Sequence, residues 1–360
     1  MIMTLIIAEA GVNHNGQRDL AFRLIDAAHN AGADIVKFQT FKSQNLVTAS
    51  AAQAEYQVTN TNKTESQLAM LSRLELSYET HKELIDYCNQ LGIEFLSTAF
   101  DEDSLKFLVN DLKLKTLKIP SGEITNAPFV LSHALTGCNI MLSTGMATLS
   151  EIEDALGVLA FGFISSGNVI PSRTEFQKAY SSDAGQRALK EKVRILHCTT
   201  EYPAPMNEIN LKAMDSLAVA FGLPTGYSDH SQGITIPVAA VARGAVIIEK
   251  HFTLDRNMEG PDHKASLEPD ELAEMVKAIR NVELALGDGV KRPTASEQKN
   301  KSIARRSIVA VKDISAGSYY SNENISVKRP GDGISPYEFW DMLGKMAKKD
   351  YCEGDRISND

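Results

Sequence analysis

Eight short runs of apolar and β-branched residues, each followed by a helical pattern, constrain this chain more than any other feature. The runs fall at 5–8, 35–39, 94–98, 116–119, 140–143, 194–198, 224–228 and 246–250. Amphipathic helical periodicity appears at 20–31, 78–91, 102–112, 149–161 and 236–243, and again at 268–286 after the eighth run. A strand buried on both faces reads as a continuous apolar run, and a strand–helix repeat puts helices outside a parallel sheet. Eight such repeats predict an α/β protein built as a closed (β/α)8 TIM barrel, in preference to an open sheet.

Two connections are long. Residues 40–75 separate the second strand from its helix and read as an excursion at the catalytic rim. Residues 162–192 are polar and serine-rich and precede the sixth strand, so they are expected on the opposite face. Composition changes at Gly287. The barrel is expected over 1–286, a polar linker over 287–302, and a small turn-rich β module over 303–360. A module of that size has little core of its own and is expected to dock on something.

The net charge of −9 with mixed signs argues against a nucleic-acid partner, and no basic run suits an anionic membrane. The first residues lack the basic region and apolar length of a signal peptide, and no stretch is long enough to span a bilayer. Four scattered cysteines without a CxxC pair suit a reduced, cytoplasmic protein.

Catalytic groups of such barrels stand at the C-terminal strand ends. Strands seven and eight end in GYSDHS (226–231) and IEKHFT (248–253). His230 and His251 on neighbouring strand ends suit one shared divalent metal, bound through neutral imidazoles. Lys37 and Gln39 are two apart and so face the same side of strand two. Lys118 adds a second ammonium from strand four. With Thr98, Ser121, Ser228 and backbone amides near Gly122 and Gly145, these make a phosphate cradle. Glu9 and Glu123 are expected among these cations, positioned to move protons or to act as counter-ions. His14 reads as a loop cap and His197 as a core residue. A metal, a phosphate cradle and carboxylates together suit the reaction of a phosphorylated small molecule with a carbonyl compound.

These residues lie in motifs that run in order along nearly the whole chain: IAEAGVNHNG (7–16), ADIVKFQTFK (33–42), KIPSGEITN (118–126), LHCTTEYPAP (196–205), GYSDHS, IEKHFTLD (248–255), GPDHKASLEP (260–269) and VKRPGDGISP (327–336). On them the chain resembles the bacterial sialic acid synthases and other nonulosonic acid synthases. The resemblance implies a TIM barrel followed by a SAF, or antifreeze-like, domain, and a domain-swapped homodimer in which that domain caps the partner's barrel. It implies an enzyme that condenses phosphoenolpyruvate with an N-acetylated hexose aldehyde and releases phosphate by C–O cleavage. The cofactor implied is a divalent metal on His230 and His251, manganese first, with magnesium or cobalt as substitutes.

The same resemblance assigns Lys37, Thr98, Lys118, Ser121 and Ser228 to phosphoenolpyruvate, Gln39, Tyr202 and Asp262 to the sugar, and Glu9 and Glu123 to the active-site carboxylates. Arg329 matches an arginine that reaches the sugar's N-acetyl group from the partner. The sequence departs from the family at Ala99, where a proline is common and a looser backbone is expected after Thr98. Thr200 stands where some relatives contact phosphate with asparagine, and 162–192 is longer than usual. N-acetylmannosamine, giving N-acetylneuraminate, is the first expectation for the acceptor. 2,4-Diacetamido-2,4,6-trideoxymannose, giving legionaminate, is the alternative. The intact GPDH segment speaks against a pseudaminate synthase. Competing readings are a metal-independent Schiff-base aldolase using Lys37, Lys118 or Lys250, and a carbohydrate-binding module without catalysis.

Overall fold

A computed structural model describes residues 3–165, 167 and 169–358. The chain divides into two compact units, Met1–Gly287 and Asp288–Asp360. In the first, eight parallel strands close in sequence order into a barrel. They are β1 (Leu5–Gly11), β2 (Ile35–Thr40), β3 (Glu94–Ala99), β4 (Thr116–Ile119), β5 (Asn139–Ser143), β6 (Val193–His197), β7 (Thr225–Asp229) and β8 (Ile247–His251). Every expected strand is present, with ends moved by a residue or a few. The barrel closes where β1 pairs with β8, from Leu5 beside Ile247 to Glu9 beside His251.

Helices cover the outside, and strand parity decides which residues they cover. Outward residues such as Ile6, Ala8, Val36 and Phe38 join one large apolar core beneath the helices. Inward residues Ile7, Ile35, Leu96, Met141, Leu196 and Ile247 form a separate apolar plug inside the barrel. Gly226 belongs to this inner layer. A Cβ there would lie 2.7 Å from the Ile247 carbonyl oxygen and 2.7 Å from a methyl of Leu196, so only glycine fits.

The helices of the barrel unit are α1 (Arg18–Asn30), α2 (Ser43–Leu46), α3 (Glu55–Thr61), α4 (Gln67–Leu74), α5 (Tyr78–Leu91), α6 (Glu102–Asn110), α7 (Ala127–Leu135), α8 (Leu149–Ile164), α9 (Arg173–Tyr180), α10 (Asp183–Lys192), α11 (Ala213–Phe221), α12 (Thr235–Ala242) and α13 (Pro269–Leu286). The excursion at 40–75 is thus three short helices. The polar stretch before β6 is largely α9 and α10, each N-capped by a serine hydroxyl, Ser172 and Ser182. Two of its serines thus begin helices. The backbone after Thr98 does not loosen. β3 continues through Ala99, which pairs with Thr40 and is buried, and the next amide donates to the Thr40 carbonyl.

In the second unit, β9 (Ser307–Ala310) pairs antiparallel with β10 (Ile325–Lys328) over a small core that includes Ile308, Ile325, Tyr320 and Tyr351. The stretch expected as a linker is only partly extended. Thr294 and Glu297 form a capping box that opens a helix, α14 (Ala295–Ala304). No helix among the described residues is long and apolar enough to cross a membrane.

Two predictions follow from this packing. Gly226→Ala overpacks the inner layer and should destabilise the fold by about 1–3 kcal/mol, read as a lower urea midpoint. His14 and His133 are buried, and their Nε2 atoms have no hydrogen-bond partner. Burial depresses both, His14 to about 3 and His133 to about 4. A depressed histidine stays neutral in the folded protein while the unfolded chain takes up a proton below about pH 6.5. Stability should therefore fall as pH drops from 7 to 5, by roughly 2 kcal/mol per ring. Urea midpoints across that range check it, and a flat profile would show the rings to be charged when folded.

Candidate active site

Above the apolar plug, the next inward layer carries charge. Glu9, Lys37, Thr98, Lys118, Ser143, Ser228 and Glu249 line the floor of one cavity of about 320 Å³, at the C-terminal ends of the strands. The four charged groups among them, with two hydroxyls, form a buried network. Lys37 Nζ lies 2.8 Å from Glu9, 3.4 Å from Glu249 and 3.1 Å from the Thr98 hydroxyl. Lys118 donates to Glu249 at 2.6 Å, and so does the Ser228 hydroxyl at 2.7 Å. Two ammoniums and two carboxylates thus share one dry layer, where each charge needs its partner.

The network moves its members in opposite directions. Burial pushes the Glu249 carboxyl up, but Lys118 and Lys37 outweigh it and hold the group far below the usual carboxylate range. Burial pulls Lys118 down, yet Glu249 and Glu9 leave it above the ordinary lysine value. For Glu9 burial prevails over Lys37, and Glu249 adds repulsion, so its pKa is raised. Of the two carboxylates, Glu9 is the readier to hold a proton.

His230 and His251 stand above this layer, with ring centroids 5.5 Å apart. Two imidazoles on one ion at metal–nitrogen distances of about 2.1 Å place their centroids roughly 5 Å apart, so this spacing suits a shared ion. His230 Nδ1 meets the Thr199 carbonyl at 2.6 Å, which as a donor contact fixes the tautomer and leaves Nε2 free. Burial keeps both rings neutral. His230 falls to about 4, and His251 lies well below its usual value, further lowered by His230. No three His, Cys, Asp or Glu side chains converge as a metal cluster among the described residues. The candidate metal ligands among the described residues are thus the histidine pair alone.

Tyr202 packs on the His230 ring at 4.1 Å and meets Tyr56 of α3 at 5.0 Å. Asp262 lies 3.7 Å from His251 Nδ1, and burial followed by repulsion from Glu9 raises it to about 7. Gln39 donates to Glu9 at 3.4 Å. Ser121 accepts the Gly145 amide at 3.0 Å. Gly145 has no room for a Cβ, which would sit 2.3 Å from the Thr200 hydroxyl and 2.9 Å from that of Ser121. The hydroxyls of Thr200 and Ser143 are buried at the cavity wall without hydrogen-bond partners.

All thirteen barrel residues proposed from sequence line this one cavity: Glu9, Lys37, Gln39, Thr98, Lys118, Ser121, Glu123, Thr200, Tyr202, Ser228, His230, His251 and Asp262. Their neighbours differ from expectation in one respect. Glu123 does not sit among the lysines. It lies in a 3-10 turn after β4 and accepts from Asn126 at 2.7 Å. The carboxylate between the lysines is Glu249, noted from sequence beside the histidines but assigned no role. Its signal was parity: Glu249 is two before His251 and shares its face. Ser143, read as a strand-end residue without a role, occupies the corresponding inward position on β5. Lys250 and Asp229 face away from the cavity and pair with each other at 2.5 Å. His14 accepts the Gly16 amide at 3.0 Å, and His197 meets the Ile209 carbonyl at 2.8 Å. Arg329 lies in the second unit.

The profile described as NeuB family matches residues 24–291, and that of the SAF domain matches 305–360. The chain belongs to the NeuB family. This NeuB-family chain is 51% identical over 357 residues to the N,N'-diacetyllegionaminic acid synthase of Campylobacter jejuni subsp. jejuni, covering 99% of each chain. It is 44% identical over 349 residues to the protein of the same name from Legionella pneumophila, covering 97% of this chain and 92% of that one. Its structure is similar to that of an N-acetylneuraminic acid synthetase from Leptospira borgpetersenii, with TM-score 0.66 and 34% identity over 83% of this chain and 90% of that one. The resemblance read from the motifs is borne out in both units.

Glu249→Gln leaves two buried ammoniums with one carboxylate. It should cost about 3–5 kcal/mol of stability at pH 7, measured by urea unfolding, because an uncompensated charge stays in the dry layer.

Proposed function

We propose that this chain condenses phosphoenolpyruvate with 2,4-diacetamido-2,4,6-trideoxymannose, giving N,N'-diacetyllegionaminate and phosphate. Two relatives matched along nearly their full lengths, at 51% and 44% identity, carry that name, and this carries the choice of sugar. The sequence reading put N-acetylmannosamine first and this sugar second. The relatives reverse that order.

The cavity suits the chemistry. Lys37 and Lys118, with the hydroxyls of Thr98, Ser121, Ser143, Thr200 and Ser228, offer cations and donors to the phosphate and carboxylate of phosphoenolpyruvate. These groups are already desolvated and held, so little reorganisation accompanies the reaction. His230 and His251 would hold the divalent ion, with manganese the first expectation and magnesium or cobalt substitutes. Such an ion, when bound, supplies Lewis-acid polarisation of the acceptor's aldehyde. Glu9 lies at the floor beside Lys37, and its raised affinity for a proton suits it to take one from the water that adds at C2. Loss of phosphate from C2 then breaks the C–O bond. Gln39, Tyr202 and Asp262 orient the sugar, and Glu123 stands at the mouth. The resemblance of VKRPG supports Arg329 as the contact to the acceptor's acetamido group, delivered by a partner chain in a domain-swapped dimer.

The Schiff-base reading loses ground. A nucleophilic lysine needs a depressed pKa, whereas Lys118 is raised. Lys250 is turned away from the cavity and paired with Asp229.

Purified protein with manganese, phosphoenolpyruvate and the trideoxy sugar should release phosphate. Chelation should abolish it, and His230→Ala should lose bound manganese along with turnover. No release with either candidate sugar would overturn the synthase reading.

A further inference from the structure

The cavity has two unlike halves. The strand ends make the floor, which is charged and hydroxylated. The excursion between β2 and α5 makes the facing wall, which is apolar. Leu46 and Val47 at the end of α2, and Met70, Leu71 and Leu74 of α4, all border the cavity. Met70 and Leu74 are anchored in a satellite cluster with Val12 and Phe41, against which Leu46 and Leu71 pack. Three polar side chains interrupt this wall, Tyr56 and Gln57 of α3 and Gln67 of α4. Gln67 lies one turn before Leu71 on the same face of α4, borders the cavity, and its carboxamide makes no hydrogen bond among the described residues.

The phosphate, carboxylate and aldehyde all require the charged half. The far end of an acceptor sugar is left to the excursion. A hydroxyl moved from water onto the leucines of this wall loses hydrogen bonds that their side chains cannot replace, whereas a methyl gains. A free carboxamide complements an acetamido group, donor to acceptor and acceptor to donor.

We infer that Leu46, Leu71 and Gln67 form the subsite for the C4–C6 end of the acceptor, and that they select a 6-deoxy, 4-acetamido hexose over one hydroxylated at both positions. The inference rests on the synthase reading above and deepens it. Leu71 and Leu46 favour the C6 methyl and the acetyl methyl, and Gln67 pairs with the C4 amide. Selectivity comes from the excursion, and the reaction from the strand ends.

The test compares kcat/KM for 2,4-diacetamido-2,4,6-trideoxymannose and for N-acetylmannosamine in the wild type, Leu71→Asn and Gln67→Leu. The 6-deoxy analogue of N-acetylmannosamine serves as a third acceptor that isolates C6. The wild type should prefer the trideoxy sugar by two or more factors of about ten, since one methyl in an apolar pocket is worth roughly 10–200-fold. Leu71→Asn should reduce the advantage of the 6-deoxy analogue over N-acetylmannosamine about tenfold. Gln67→Leu should reduce the 4-acetamido preference and leave the 6-deoxy advantage. Circular dichroism and thermal melts confirm that each variant is folded, and Leu46→Asn replaces Leu71→Asn if the latter is not. Wild-type selectivity that persists unchanged in the folded variants would overturn this inference alone. A wild type that prefers N-acetylmannosamine would overturn it together with the choice of sugar. Turnover of none of the three would overturn the synthase reading on which it rests.

Discussion

Glu249 sits between two lysines in the dry interior of the barrel, and the site depends on that contact. Two ammoniums brought into one desolvated layer repel each other and lose their water, which a fold tolerates only with matching carboxylates. Glu249 binds Lys118 directly and Lys37 at longer range, while Glu9 holds Lys37 from the other side. The four charges cancel. A phosphorylated, carboxylated substrate brings further negative charge to the same layer, and the layer absorbs it most readily at Glu9. That group is already displaced towards its protonated form, whereas Glu249 is displaced the opposite way. The two carboxylates are chemically alike and are set apart by surroundings: Glu249 lies between two cations and accepts from Ser228 as well. Environment alone thus separates a carboxylate held charged from one displaced towards its protonated form.

The barrel below makes this layer possible. Ile7, Ile35, Leu96, Met141, Leu196 and Ile247 close the interior beneath the charges, and Gly226 lets β6 and β8 approach there. Each of Glu9, Lys37, Glu249 and Ser143 stands two residues after a plug residue on its own strand. Charged layer and apolar layer are therefore one parity pattern read upward, and the depth of the site follows from where each strand changes from apolar to polar.

That pattern also explains what could be read from the residues alone. Strands of continuous apolar character and the side chains at their ends were legible, because period-two alternation assigns each residue to a face. Lys37 and Gln39 were placed this way. The same rule applied to β8 would have brought in Glu249 with His251, but the histidines drew the reading to the strand's end. Glu123 shows where the rule stops. It lies beyond β4 in a 3-10 turn, where alternation carries no information, and its partner is Asn126. The excursion was legible as an insertion and not as a wall, since short helices such as α2 and α4 acquire their facing only by packing on Val12 and Phe41. The serines of 162–192 looked like loop residues because N-caps and loops favour the same side chains. Arg329 was legible only through resemblance, as a lone arginine in a turn has no pattern of its own.

The histidine pair shows the same burial acting with a different sign. Desolvation disfavours the charged form of every group it touches. It raises Glu9 and Asp262 and lowers His230 and His251, so one dry cavity yields carboxyl groups that hold protons and imidazoles that do not. Neutral imidazoles are the form that binds metal ions, and the Thr199 carbonyl directs the free nitrogen of His230 away from the backbone. Tyr202 lies over His230 and adjoins Tyr56 of the excursion, so an aromatic pair links the excursion to the histidines. The insertion between β2 and α5 thereby bears on both halves of the cavity: it presents its own side chains to one, and through Tyr56 and Tyr202 it adjoins the histidines of the other.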